Sequence, residues 1–144
     1  MTSSKVRMLQ GGDAQQVDKG GKFGRIGGAT ITVGTEAANV INVAIQLEQP
    51  NGDALDEFGY VTAYLSDDSG GDGVAGTAPS GTVVIGTDGA IIGEITAKKV
   101  LLLQSEADGD IDINITETGA DTWYLVVILP SGVKVVSDAI TFAA

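Results

Sequence analysis

The sequence predicts an all-β protein: an antiparallel two-sheet sandwich, immunoglobulin-like or jelly-roll, behind an extended N-terminal arm. Three observations lead there. Short apolar runs alternate with polar residues at a period of two, and turn signals recur about every ten residues. Glycine is abundant, at 21 of 144 residues, without periodic spacing, which means many turns rather than a fibrous repeat. No window keeps apolar residues three and four apart over a dozen positions without meeting Gly, Pro or a β-branched run, so helix content should be low.

Residues 1–28 are rich in Gly and Ser, hold Gly-Gly pairs and carry few apolar side chains; they read as a flexible basic arm ahead of a domain over residues 29–144. Ala29 to Val33 is a β-prone segment suited to a sheet edge. Asn39 to Glu48 alternates, with Ile41, Val43, Ile45 and Leu47 on one face, and ends in the turn Gln49-Pro50-Asn51-Gly52. Phe58 to Leu65 sets Val61, Ala63 and Leu65 against Tyr60, Thr62 and Tyr64. Ser66 to Ser80 is dense in Gly, Asp and Ser and reads as a long exposed loop unable to hold a core. Val83 to Ile85 and Ala90 to Ile95 flank Thr87-Asp88-Gly89, a hairpin signal. Val100 to Ser105 and Gly109 to Thr116 are further strands.

The last element, Asp121 to Phe142, reads as a hairpin turning at Pro130-Ser131-Gly132. Its first strand is apolar on both sides: Trp123, Leu125, Val127 and Leu129 face one way, and Tyr124, Val126 and Ile128 the other. A strand with one wet face should alternate, so something must cover the second face. The candidates are a second sheet, a neighbouring copy or a different partner. Tyr124 also stands where sandwich domains carry a tyrosine bonded back to the corner backbone, an alternative to plain packing.

Composition bounds the function. With no Cys and no His, disulfides, thiolate chemistry, the usual zinc ligands and the commonest general base are all missing. No Gly-x-Ser-x-Gly or phosphate-loop pattern occurs, and the acids are scattered, so the chain is read as no enzyme and as needing no cofactor. Neither a signal peptide nor a transmembrane run is visible, and no membrane partner is expected. Net charge is −11, which argues against nucleic acid as a partner. The charge is divided: residues 1–29 hold five basic and two acidic groups, and residues 30–144 three basic and seventeen acidic. Asp67, Asp68 and Asp72, and Asp108, Asp110 and Asp112, are clusters able in principle to ligate calcium; neither has the twelve-residue loop with a distal Glu, and solvated turns are the preferred reading, with no metal site.

Two resemblances add to this. NVINVAIQLEQPNGDAL, residues 39–55, and GADTWYLVVILPSG, residues 119–132, resemble strands of bacterial immunoglobulin-like domains. Val40 to Phe142 as a whole resembles small tailed-phage proteins found with the capsid genes, through segments like VTAYLSDD, AGTAPSG, EADGDIDI and TWYLVV in that order. That resemblance implies a capsid decoration, or cement, protein: a virion structural module made in the host cytoplasm that binds the major capsid protein on the outer shell surface, as a dimer or trimer. Trp123, Leu125 and Val127 are then candidates for self-association, and Lys5, Arg7, Lys19, Lys22 and Arg25 for docking to the shell or a neighbour. The alternative is an adhesion or carbohydrate-binding module of a tail fibre or cell surface, using Tyr60, Tyr64 and the Asp67 to Asp72 loop.

Overall fold

A computed structural model describes residues 26–144, together with the backbone pairing of two short strands, β1 (Val6–Met8) and β2 (Gln15–Val17). The basic residues proposed for docking, Lys5, Arg7, Lys19, Lys22 and Arg25, have side chains outside the described residues.

The body is an antiparallel two-sheet β-sandwich, with no helix among the described residues. A small sheet is ordered β3 (Gly28–Val33), β4 (Val40–Glu48), β9 (Asp110–Thr116), β6 (Val83–Ile85). A larger sheet is ordered β11 (Lys134–Val136), β10 (Asp121–Ile128), β5 (Tyr60–Ser66), β8 (Val100–Gln104), β7 (Ala90–Thr96), and β12 (Ile140–Phe142) also pairs with β10.

Alternation explains the core. In the small sheet Ile41 stands opposite Ile115, Val43 opposite Ile113 and Ile45 opposite Ile111, all buried. In the large sheet Leu65 faces Leu125, Ala63 faces Val127, and Val61 faces Leu103. These two aliphatic layers meet in one cluster, each large side chain contributing about 1.5–3 kcal/mol by leaving water. Of seven aromatic residues, Trp123 and Phe142 enter the core, edge to face with ring centroids 6.0 Å apart. Ile26 joins the cluster, and the Gly27 N–H donates to the Glu48 carbonyl at 2.8 Å. Ile26 and Gly27, placed with the arm on composition, thus contact the body.

Three expectations change. The run after Pro130 is two strands, because Ser137 interrupts it: the Leu125 N–H donates to the Ser137 hydroxyl at 2.9 Å and the Ser137 N–H to the Leu125 carbonyl at 2.9 Å. Secondly, Thr87-Asp88-Gly89 closes no hairpin. β6 pairs with β9 and β7 with β8, so this turn carries the chain from one sheet to the other. Asp112 sets that path, its carboxylate accepting the Thr87 and Asp88 N–H groups at 2.8 and 2.6 Å. Thirdly, Trp123, Leu125 and Val127 are each fully buried in their own chain. They face the opposing sheet and are unavailable for self-association.

Candidate functional site

The outer face of the large sheet is built from Tyr60, Thr62 and Tyr64 of β5, Val100, Leu102 and Gln104 of β8, and Tyr124, Val126 and Ile128 of β10. Part of it is roofed from within the Ser66 to Ser80 segment, expected to be a long exposed loop. The Ala75 N–H donates to the Leu65 carbonyl at 2.7 Å, and the Tyr64 hydroxyl donates to the Gly71 carbonyl at 2.6 Å. Gly71 sits with φ at +72° so close to Val126 and Val136 that a Cβ there would come within 2.8 Å of a Val126 methyl; glycine alone permits this approach. Val126 is consequently buried although it points away from the core. All three lysines of residues 30–144 serve this roof: Lys99 donates to the Ala75 carbonyl at 3.0 Å, Lys98 to Pro79 at 3.2 Å, and Lys134 to Gly71 at 3.4 Å and Asp72 at 3.3 Å. A tie of the kind considered for Tyr124 is made by Tyr64.

The roof stops short. Beyond it Tyr60, Thr62, Leu102, Ile128, Pro130 and Ile92 line an open groove of about 260 Å³. Through Tyr60 and Pro130 it runs into a second depression of about 280 Å³, walled by Ile26, Leu55, Glu57 and Phe58. Phe58 is 54% exposed, Tyr60 56% and Ile92 52%. Ile92 stands on the edge strand β7, whose pairing is irregular. The β7–β8 register slips between Ile91 and Gly93 and again between Glu94 and Thr96, so Ile92 and Ile95 are the extra residues of two bulges, and bulged edges resist uncontrolled strand addition. Among the described residues nothing covers this apolar strip beside the roofed half. The sequence set Tyr60 on the face opposite Val61 and Ile128 on the face opposite Val127 without showing which face of the last strand turns inward, and the contributions of Phe58, Ile92, Leu102 and Pro130 depend on pairing it does not display.

The acidic clusters play other parts. The Asp67 carboxylate accepts the Gly76 N–H at 2.8 Å, and N–H groups of Gly70 and Asp72 hold the Asp68 carboxyl below its ordinary pKa. On the small sheet's outer face, Asn42 donates to Asp112 at 2.6 Å and to Asn114 at 2.8 Å. Burial pushes the Asp112 pKa up, but the Asp88 and Thr87 N–H groups and the Asn42 amide outweigh it and leave it lowered. Asp110 is raised, first by desolvation and then by the neighbouring Asp108, Asp88 and Asp112. Among the described residues no group of three or more His, Cys, Asp or Glu side chains is placed to hold a metal ion.

Asp110→Asn should therefore stabilise the protein at neutral pH by about 0.5 kcal/mol, the scale of a like-charge contact on a sheet. A carboxyl whose folded-state pKa is raised burdens the fold when ionised, and the burden fades as pH falls through that pKa. The gain in urea midpoint should thus shrink towards pH 4; a gain constant across pH would contradict the assignment.

No family model and no curated protein matches the chain. Among solved structures, a cohesin module from Clostridium perfringens ATCC13124 family 33 glycoside hydrolase is similar with a TM-score of 0.47 and 14% sequence identity, covering 83% of this chain and 98% of that one.

Proposed function

We propose that this protein is a non-enzymatic structural component of a phage virion, a decoration protein that docks on the outside of an assembled capsid through the groove at Tyr60, Ile92 and Leu102. The observation that carries this reading is the half-roofed sheet: the chain covers Val126 with its own loop, and the described residues leave an adjoining apolar strip bare. The phage resemblance of residues 40–142 supplies the capsid as partner. The strongly acidic body, with its lysines directed into the roof, supplies the electrostatic side, favouring a partner that presents cations around an apolar contact. Burying Phe58, Tyr60 and Ile92 stabilises each contact by about 1.5–3 kcal/mol per side chain. Repetition over a shell lets modest single contacts hold against internal pressure.

The test mixes purified protein with undecorated shells and follows co-sedimentation. Tyr60→Asp combined with Ile92→Asp should weaken docking at least a hundredfold, by about 3 kcal/mol, while the β circular-dichroism spectrum stays unchanged because both residues are exposed. Docking indifferent to this change, or none by the parent protein, overturns the reading.

A second reading, a carbohydrate-binding module of a tail fibre or cell surface, is favoured by one feature: Phe58 and Tyr60 stand exposed beside Glu57 in a single depression. Its other proposed members are committed elsewhere, Tyr64 to Gly71 and Asp67 to Gly76. Saturable glycan binding lost in Tyr60→Ala would favour it over the capsid.

A further inference from the structure

The roof over the large sheet is held by ionised groups more than by apolar packing. Of residues 67–80 only Ala75 and Pro79 bury an apolar side chain, and Val74 is 47% exposed. Carboxylates accept its donors: Asp67 takes the Gly76 N–H at 2.8 Å, Asp68 the Asp72 N–H at 3.3 Å and Asp121 the Thr77 hydroxyl at 3.4 Å. Glu117 takes both the Ser80 N–H at 2.9 Å and the Ser80 hydroxyl at 2.7 Å. Beneath the roof lies apolar surface that continues the open groove. Gly71 lies against Val126 and Val136. On this outer face Val126 stands opposite Tyr64, and the next outer pair along the same two strands, Ile128 opposite Thr62, already lines the groove. The roof's edge thus divides one continuous face.

We propose that residues 67–80 are an acid-released lid: they lift from the sheet while the sandwich stays folded, and Val126, Val136 and Tyr64 then join Thr62, Ile128 and the groove as one apolar face. Local opening ahead of the whole fold belongs to segments with few buried apolar contacts. The charged and titratable groups facing these acids are Lys134 of β11, paired with Asp72 at 3.3 Å, Lys98 and Lys99 of the β7–β8 turn, Tyr64 of β5 and Asp121 of β10. The Gly70 and Asp72 N–H groups hold Asp68 below the ordinary carboxylate pKa, and those of Ser80 and Gly119 do the same for Glu117. A carboxyl lowered in this way contributes stability above its unfolded pKa and loses it as pH falls through the folded one. Acid therefore weakens these ties together, leaving the lysine bonds and two small apolar anchors. Asp112 titrates in the same sense, but it clips the crossover on the other sheet. The lid makes the area offered to a partner depend on pH. It needs only the ties named here, so docking through Tyr60 and Ile92 at neutral pH stands or falls separately.

Amide hydrogen exchange of the full-length protein, followed by mass spectrometry from neutral pH down through the carboxylate range and corrected for the chemical rate at each pH, tests this. Peptides within residues 67–80 should lose protection by roughly tenfold or more before those of β4 and β9 lose any, while the β circular-dichroism spectrum is unchanged. Loss of protection in roof and sheets together overturns the proposal, as does a roof that stays protected once the carboxylates are protonated. Asp67→Asn with Glu117→Gln removes two of the charges without acid. At neutral pH this variant should exchange several-fold faster over residues 67–80 than the parent, and should bind more of a fluorescent dye specific for apolar surface. Parent-like protection and dye binding in the variant overturn the proposal.

Discussion

Trp123→Ala should lower the folding stability by about 3–5 kcal/mol, the range for emptying a large aromatic site in a packed core. That is about a fifth or more of the roughly 5–15 kcal/mol a domain of this size holds. Trp123 is fully enclosed, rests edge-on against Phe142, and stands opposite Ile140 in the β10–β12 pairing. Its indole N–H is buried without a hydrogen-bond partner among the described residues. Trp123→Phe relieves that unpaired donor while keeping part of the volume, and should cost clearly less than Trp123→Ala. Urea unfolding followed by circular dichroism separates the two variants, and sedimentation follows the association state. Near-normal stability of Trp123→Ala together with an altered association state would return this residue to the interface role its sequence context suggested.

Asp112→Ala should cost about 2–4 kcal/mol at neutral pH. Its carboxylate is buried and accepts from Thr87, Asp88 and Asn42, and a buried donor left unsatisfied costs about 1–3 kcal/mol. The pH dependence has a defined sign. The folded-state pKa of Asp112 is lowered, so its contribution is complete above the ordinary carboxylate pKa of about 3.9. It is lost as pH falls through the folded value. The stability difference between the parent protein and Asp112→Ala should therefore narrow as pH falls below the ordinary carboxylate range. Glu117 behaves in the same sense, held low by the Ser80 N–H, the Gly119 N–H and the Ser80 hydroxyl, and joins Asp112 in making the fold acid-sensitive. The crossover leaves no room for a side chain beside this carboxylate: a Cβ on Gly86 would overlap Asp112, so Gly86→Ala should unfold the same turn. A Gly86→Ala variant as stable as the parent would show that the turn is not clipped in this way.

Strand positions were legible because alternation is a local property. Ile41, Val43, Ile45 and Leu47 are all buried where the two-residue period put them, and β9 repeats this with Ile111, Ile113 and Ile115. Turn chemistry was less informative. Thr87-Asp88-Gly89 carries a hairpin signature, yet the carboxylate that directs it belongs to Asp112 on another strand, 24 residues from Asp88. Nothing near the turn reveals that acceptor.

The candidate site was less legible still. The two-sided apolar strand β10 correctly announced that a second cover was needed, and the cover proved to be the Gly-rich segment dismissed as unable to pack. Its packing rests on a few spaced points, Gly71, Ala75 and Pro79, all buried, and on lysines of the β7–β8 turn and of β11. Apolar content alone misses such anchoring, because backbone carbonyls and one close glycine contact do the holding.

By itself, the amino-acid order determined the all-β class, most strand positions, the inward face of strands that alternate and the divided charge, since each depends on neighbours within a few residues. Only the tertiary structure decided which strands pair, which face of the large sheet is roofed and which strip stays open. Those outcomes depend on contacts such as Gly71 with Val126 and Asp112 with Thr87, between residues far apart in the chain, and no local pattern of side chains records them.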